Sequence, residues 1–483
     1  MLLPYLILYV YIFTLSLILI FSIGQAYLIY FYLRNKIQTP TNQNLKPIQQ
    51  PLVTVQLPLY NEVYVVAQLI NAVCALNYPI QKLEIQVLDD SDDECYTLAQ
   101  QLVKNKQAQG FNIQHISRKI NTGFKAGALQ HGLQLAKGEF IAIFDADFIP
   151  EKEFLNQLLP FFTPNVGMVQ SRWEHVNANY SLLTQVQAFA LDGHFTIEQS
   201  GRNSAGLFIN FNGTAGIWRK ACIIDAGGWQ HDTLTEDLDL SYRAQLKGWK
   251  FHYFENVYTP AQLPAQLNAF KSQQHRWTKG AIETSKKMLN PIWKNKHLSF
   301  KIKLFATLHL SNAYNFLLAF ISIFLSVPVL YIKNQHLINP FYFQIISVFL
   351  VGFLVLLVFY SISFFSKRKG VLNFIALFPT FVSVAMAMSF HNSLAVVEGI
   401  FGFKSPFIRT PKFNTQSITH NKYVNQHIHF TFYIELILVF YFLAAIYLGF
   451  YYHDFGLLPF HIMLCFGFFT LVFYGLKQRY IRC

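Results

Sequence analysis

"EFIAIFDADFIP", residues 139–150, sets two carboxylates, Asp145 and Asp147, near the end of an apolar run. In an open α/β sheet, ligands bind beyond the carboxyl ends of the strands, so charges placed there face a cleft. Two other runs finish alike. "LVTVQLPLYNE" (52–62) closes on Tyr60-Asn61-Glu62, and "LEIQVLDDSDDE" (83–94) passes through Asp89-Asp90. These runs and "FNIQHISR" (111–118) are short and rich in β-branched residues, with helix-like stretches at 63–76 and 124–137 between them. Strands alternating with helices predict a parallel sheet covered on both faces, which gathers the acidic strand ends on one rim. Taken singly, each end has a plainer reading. Asp-Asp-Ser suits a turn or an N-cap, and Asp145 could cap the next helix. Three acidic ends in one cleft repel each other, however, and call for a cation among them. A set of oxygen ligands alone suggests Mg²⁺ or Mn²⁺, and Mg²⁺ commonly shares its shell with phosphates. Asp145 and Asp147 therefore read as metal ligands that bring a nucleotide diphosphate to the rim.

Outside this region the chain has another texture. It is 53% hydrophobic and only 13% charged, against roughly 25% charge in an average soluble domain. Residues 3–33 are almost free of charge, as are most of 304–331, 341–366, 371–390, 432–451 and 455–475. At about 1.5 Å per residue, such stretches suffice to cross about 30 Å of hydrocarbon. The first is too long for a signal peptide and no small-residue cleavage site follows it, so it reads as an uncleaved anchor. Arg34 and Lys36 follow it, which puts the N-terminus outside and residues 37–300 in the cytosol. The loop 332–340 holds one lysine whereas 366–370 reads SKRKG, so the hairpin 304–366 leaves the cytosol and returns. Lys404, Arg409, Lys412, Lys422 and the tail Lys477–Arg482 also call for the cytosolic side. Residues 371–402 are therefore expected as an interfacial or re-entrant segment broken near Pro379, leaving about five spans and a cytosolic C-terminus. The expected location is the plasma (inner) membrane.

The net charge of +13 follows from the same rule, because basic residues crowd the cytosolic ends of spans. No block of Lys and Arg marks a soluble face, so no nucleic-acid partner is expected. The five cysteines, Cys74, Cys95, Cys222, Cys465 and Cys483, are odd in number and lack CxxC spacing. They indicate neither a disulfide framework nor a zinc site. Nothing in the sequence speaks to oligomeric state.

Four motifs occur in order: the aspartate pair 89–90, Asp145-Ala146-Asp147, Thr235-Glu236-Asp237 and Gln273-Gln274-His275-Arg276-Trp277. They resemble the D, DxD, TED and QxxRW motifs of processive family 2 glycosyltransferases. The strings "IQVLDDSDDE", "NTGFKAGAL", "IAIFDADF", "FNGTAGIWR" and "KSQQHRW" are similar to the cellulose synthase-like A and C groups, which make β-mannan and the glucan backbone of xyloglucan. The resemblance implies a glycosyltransferase-A-type α/β domain (37–300) between an N-terminal transmembrane anchor (1–36) and a C-terminal helical membrane bundle (301–483). It also implies an inverting transfer from a nucleotide sugar, UDP-glucose or GDP-mannose.

Such a transfer needs a base for the acceptor hydroxyl and charge relief for the departing diphosphate. The resemblance makes Asp237 the base; the plainer alternative is a cap for the helix-like stretch 236–248. Asp90 is expected on the nucleobase and ribose, Tyr60 on the face of the base, and Glu62 beside them. Lys125 pairs with phosphate as a point charge, as does Asp145 through the metal. Gln273, Arg276 and Trp277 fall at i, i+3 and i+4, one face of a helix. Arg276 is suited to grip the diphosphate, while Trp277 offers a flat platform to a sugar ring, though a tryptophan there can equally anchor a membrane interface. Asn212, Gly213 and Thr214, in "FNGTAG", join Glu236, Gln273 and Trp277 as the acceptor-binding set. Phe407, Thr410 and Lys412, in the loop 403–422, resemble the FxVTxK gating loop, with Arg409 replacing the family's valine.

The reading is a membrane-embedded synthase that elongates a β-glycan and passes it through its own bundle. Transfer of one sugar to a lipid acceptor is the alternative. A nucleotide-sensing transporter is a remote third, for which paired broken helices are missing from the pattern.

Overall fold

The computed structural model describes residues 2–36, 50–368, 370–404 and 430–480. A long helix, α1 (Leu2–Lys36), precedes the α/β domain. There β1 (Val53–Leu59), α2 (Val66–Cys74), β2 (Leu83–Asp89), α3 (Glu94–Ala108), β3 (Ile113–Ile116), α4 (Phe124–Leu135) and β4 (Phe140–Ile143) alternate strictly. The second half runs α5 (Phe154–Leu158), β5 (Val166–His175), α6 (Leu182–Gly193), α7 (Ser200–Ser204), β6 (Gly216–Arg219), α8 (Lys220–Asp225), α9 (Glu236–Leu246) and β7 (Lys250–Ala261). The helices α10 (Leu267–Lys294) and α11 (Phe300–Leu310) lead to the apolar set. That set is α12 (Tyr314–Asn334), α13 (Phe341–Ile346), α14 (Leu350–Lys367), α15 (Val371–Phe401), α16 (Thr431–Tyr451) and α17 (Leu458–Tyr480).

The strand order is β3-β2-β1-β4-β6-β5-β7. The first four strands are parallel, as the alternation predicts, and β5 and β7 form a second parallel pair. Strand β6 is antiparallel to both neighbours and joins the two halves into a mixed sheet. Because β6 reverses twice, β5 points the same way as β4 and ends on the same rim. Both faces are covered. Val55, Leu57 and Ile85 pack on Leu69, Val73 and Ala99 of α2 and α3, while Ile141 and Trp218 pack on Leu129 of α4 and Leu240 of α9. This is why β2 is buried along its whole length, its polar residues included: Glu84 accepts from the Thr54 hydroxyl at 2.5 Å and Gln86 from the Gln56 side-chain amide at 3.0 Å, both on β1.

Six helical segments among the described residues are long and apolar enough to cross a membrane, one more than the sequence led us to expect. The sixth is α15. It does not break at Pro379 but continues through it as one helix of 31 residues. Phe378, Phe381 and Val382 around the proline are buried, and a break among apolar neighbours would strand backbone groups away from water. The apolar run 304–331 is itself divided between α11 and α12 by a turn at 311–313.

The helix ends fall on two sides. One side collects the start of α1 and the turns after α12 and α16: Leu8 packs with Ile332 and Ile338, and Lys333 pairs with Asp454 at 2.7 Å. The other side is that of the α/β domain. There Lys367 and Arg368, at the end of α14, pair with Asp192 at 3.1 and 3.3 Å. Glu435 in α16 pairs with Lys271 of α10 at 2.5 Å, and Gln478 in α17 accepts from the backbone N–H of Asn268 at 3.4 Å. Both ends of α15 belong to this second side: it begins just after Arg368, and Glu398 near its close pairs with His275 of α10 at 3.0 Å.

Candidate active site

A cavity of about 260 Å³ opens at the carboxyl ends of β1, β2, β4 and β5, walled by the starts of α4 and α9 and by one face of α10. Thirteen of the sequence-predicted site residues line it: Tyr60, Glu62, Asp90, Lys125, Asp145, Asp147, Asn212, Gly213, Glu236, Asp237, Gln273, Arg276 and Trp277. The fourteenth, Thr214, lies behind the wall. It is fully buried, and its hydroxyl accepts from the backbone N–H of Asp145 at 2.9 Å. Thr214 thus fixes the strand end that carries Asp145 instead of facing an acceptor. Phe407, Thr410 and Lys412 fall outside the described residues.

The β1 and β2 ends are fastened to each other. The Ser91 hydroxyl accepts from the Asn61 backbone N–H at 2.8 Å, and the Asn61 side chain donates to Asp92 Oδ1 at 2.8 Å. Asn61 takes a left-handed backbone (φ 56°), a conformation that Asn tolerates better than most residues. Asp90 receives Arg118, whose Nε donates to Oδ1 at 3.0 Å and whose second nitrogen reaches Oδ2. Arg118 also donates to the Thr122 and Phe124 carbonyls at 2.8 and 3.0 Å, which shapes the turn into α4. The sequence reading missed Arg118. It lies just past the end of β3, and the strand-end rule that found Asp90 and Asp145 reaches it when applied to that strand.

Lys125, in the first turn of α4, ties three segments together. Its ammonium pairs with Asp145 at 2.5 Å and donates to the Gly213 carbonyl at 2.9 Å. Burial works against its charge, but Asp145, Glu236 and Asp237 overcome that and raise its pKa above the ordinary lysine value. Gly213 has φ 82°, and a methyl group there would lie 3.0 Å from Asp237 Oδ2 and 3.5 Å from the Lys125 ammonium. Only glycine combines that backbone with so close an approach to the carboxylate.

Asp237 is the second residue of α9, and Thr235 occupies the cap position. The capping alternative for Asp237 is not what is found. Its Oδ1 accepts from the adjacent Leu238 N–H at 2.8 Å, and the carboxyl otherwise faces the cavity. Burial, reinforced by Glu236 and opposed by Lys125, pushes its pKa up to about 7. A carboxylate poised there can accept a proton near neutral pH.

Helix α10 is locked onto the loop before Asp237. The Leu234 N–H donates to Glu283 at 2.8 Å, and the Thr235 and Thr284 hydroxyls lie 3.2 Å apart. Gly280 permits the contact, since a methyl group there would come within 2.6 Å of Thr235 Cγ2. Gln273, Arg276 and Trp277 then share the face turned to the cavity, as their spacing predicts.

At the β4 end, Asp147 is 4% exposed and its Oδ2 accepts from the Gln262 N–H at 3.0 Å. Among the described residues no cluster of three or more His, Cys, Asp or Glu side chains is arranged around one point. Two neighbouring carboxylates do fit a hard divalent ion that takes its remaining ligands from phosphate and water.

Sheet order, rim and cavity together define a glycosyltransferase-A-type domain. Residues 50–280 match the model of the glycosyltransferase-like family 2, and this stretch is a domain of that family. The chain is 44% identical over 260 residues to a probable glucomannan 4-beta-mannosyltransferase 4 of Oryza sativa subsp. japonica, covering 53% of this chain and 47% of the relative. It is also 44% identical over 263 residues to glucomannan 4-beta-mannosyltransferase 2 of Arabidopsis thaliana, covering 53% and 49%. The chain thus spans about half the length of the curated relatives it matches. Among solved structures, the mannosyltransferase PcManGT of Pyrobaculum calidifontis, in complex with GDP-Man and Mn²⁺, aligns with a TM-score of 0.56 at 16% identity. The alignment covers 81% of this chain and all of that one, a likeness of fold.

Proposed function

We propose that the protein is a membrane-embedded, inverting mannosyltransferase that uses GDP-mannose to elongate a β-linked mannan-type polysaccharide. The observation that carries this reading is the cavity, where Asp90, Asp145, Asp147, Asp237, Arg276 and Trp277 meet from four separate stretches of sequence. Mannose is favoured over glucose because the relatives are named as mannosyltransferases and the structural neighbour holds GDP-Man.

In this reading Asp90, held by Arg118, and Tyr60 receive the nucleoside. Lys125 and Arg276 meet the diphosphate from two sides. Asp145 and Asp147 hold Mg²⁺ or Mn²⁺, which when bound neutralises charge on the departing diphosphate. Asp237 takes the proton from the acceptor hydroxyl as that oxygen attacks the anomeric carbon from the face opposite the diphosphate. Trp277 supports the terminal sugar ring, with Gln273 and Asn212 at its edge. Five helical segments cross the membrane and α15 lies along its cytosolic face, which accounts for both of its ends contacting the α/β domain. The α/β domain and the C-terminus are then cytosolic and the N-terminus external, at the plasma (inner) membrane. The product leaves through the bundle, to which α10 is tied by the Lys271–Glu435 and His275–Glu398 pairs.

The test is purified full-length protein with radiolabelled GDP-mannose or UDP-glucose. A polymer made from GDP-mannose and digested by β-mannanase is the expected product. A single sugar on an organic-extractable lipid refutes polymer synthesis and leaves the glycolipid alternative.

A further inference from the structure

One wall of the cavity carries, beside Asn212, two polar side chains that none of these roles uses. Strand β5 is two strands from β4, on the side away from β1 and β2 and hence from Asp90. Gly216 of β6 pairs with both Ile143 and Gln170, so these two residues are level on β4 and β5. β5 then continues to His175, rising past the rim that holds Asp145 and Asp147. Trp173 and His175 both line the cavity.

His175 is 9% exposed, and neither of its ring nitrogens has a hydrogen-bond partner among the described residues. Trp173 Nε1 and Asn212 Nδ2 are likewise buried and unpaired on the same cavity. The Asn212 amide is oriented from behind, because its Oδ1 accepts from Asn210 Nδ2 at 2.7 Å and Gln199 Nε2 at 3.3 Å. Buried polar groups are nearly always hydrogen-bonded, so three unpaired groups on one wall point to a ligand that brings hydroxyls.

We propose that His175 and Trp173, beside Asn212, hydrogen-bond the hydroxyls of the acceptor's terminal sugar and orient that sugar toward Asp237. The inference rests on the reading of the protein as a glycan-elongating enzyme. A neutral imidazole offers one N–H and one lone pair, and a sugar hydroxyl both donates and accepts, so the two chemistries match. Burial keeps His175 in that neutral form, holding its pKa down at about 4. Asp192 and Glu174 pull upward, while Lys367 and Arg172 reinforce the depression. The acceptor is the substrate meant, not the donor. The groups assigned to nucleoside and diphosphate sit on β1, β2, β4, α4 and α10, whereas β5 faces the bundle through the Glu174–Lys367 pair at 2.7 Å.

The experiment uses full-length enzyme with GDP-mannose and a soluble β-mannan oligosaccharide as acceptor. If the wild type extends no oligosaccharide from any nucleotide sugar, the elongation reading falls and this inference with it. Given extension, His175→Phe is expected to raise the acceptor KM about tenfold, with the donor KM changed by less than about twofold. Its melting temperature should not fall, because an unpaired buried polar group has been replaced by an apolar one. His175→Gln, which keeps a donor and an acceptor, should recover most of the acceptor affinity. His175→Leu is read on the same scale if the phenylalanine variant is not folded. An unchanged acceptor KM, or equal changes in acceptor and donor KM, overturns the proposal and returns His175 to a packing role.

Discussion

If Asp237 is the base, its protonation sets the pH dependence of the reaction. The pKa is raised, so the carboxylate form is lost as pH falls through about 7. About one-tenth of the enzyme would hold the active form one pH unit below that value and about nine-tenths one unit above it, by the ordinary titration relation. The donor kcat/KM, which reports the free enzyme, is therefore expected to rise about tenfold between pH 6 and pH 8 with one inflection near 7. Two variants move the inflection in opposite directions. Glu236→Gln removes a neighbour that raises the Asp237 pKa, so the inflection moves down. Lys125→Gln removes one that lowers it, so the inflection moves up, on a much reduced rate. Asp237→Asn should lose about 10²–10⁴-fold in turnover while still binding GDP-mannose. The assay is initial-rate transfer across a constant-ionic-strength pH series, with donor binding measured by calorimetry. A flat profile, a shared direction for the two shifts, or a threefold loss in Asp237→Asn would refute the assignment.

Asp147→Asn keeps an oxygen for the Gln262 N–H but brings no charge to a metal, so transfer should fall by at least about a hundredfold in a folded protein, as followed by radiolabel incorporation and melting temperature. EDTA should abolish wild-type activity, and Mg²⁺ or Mn²⁺ should restore it. Gly280→Ala drives a methyl group to within 2.6 Å of Thr235 Cγ2, which separates α10 from the loop before Asp237. Strain of that kind costs about 1–3 kcal/mol, and the rate should drop while detergent-extracted protein remains monodisperse on a sizing column. A reporter at Leu337 is expected outside the cell and one at Phe403 in the cytosol; an external Phe403 would mean that α15 crosses the membrane.

The sequence by itself determined the strand ends, because carboxylates cluster where the mainly apolar runs give way to turn residues, most plainly after β4, whose FIAI carries no polar residue at all. That local contrast located Asp90, Asp145 and Asp147, and helical spacing alone put Gln273, Arg276 and Trp277 on one face. Charge density separated the α/β domain from the apolar helices for a similarly local reason. The tertiary structure decided what depends on pairing between remote segments. Arg118 meets Asp90 from 28 residues away, and nothing in either neighbourhood announces the partner. Thr214 looked like a wall residue of a glycine-rich loop, yet the antiparallel entry of β6 turns it inward beneath Asp145. His175 escaped notice because β5 does not declare itself as a strand: Gln170, Ser171 and Arg172 interrupt its apolar run, and they are buried only because the domain supplies their partners. Arg172, for one, pairs with Asp192 at 2.9 Å. Proline propensity argued for a break at residue 379, but in apolar surroundings the unpaired backbone of a broken helix is the larger cost, and the helix runs on.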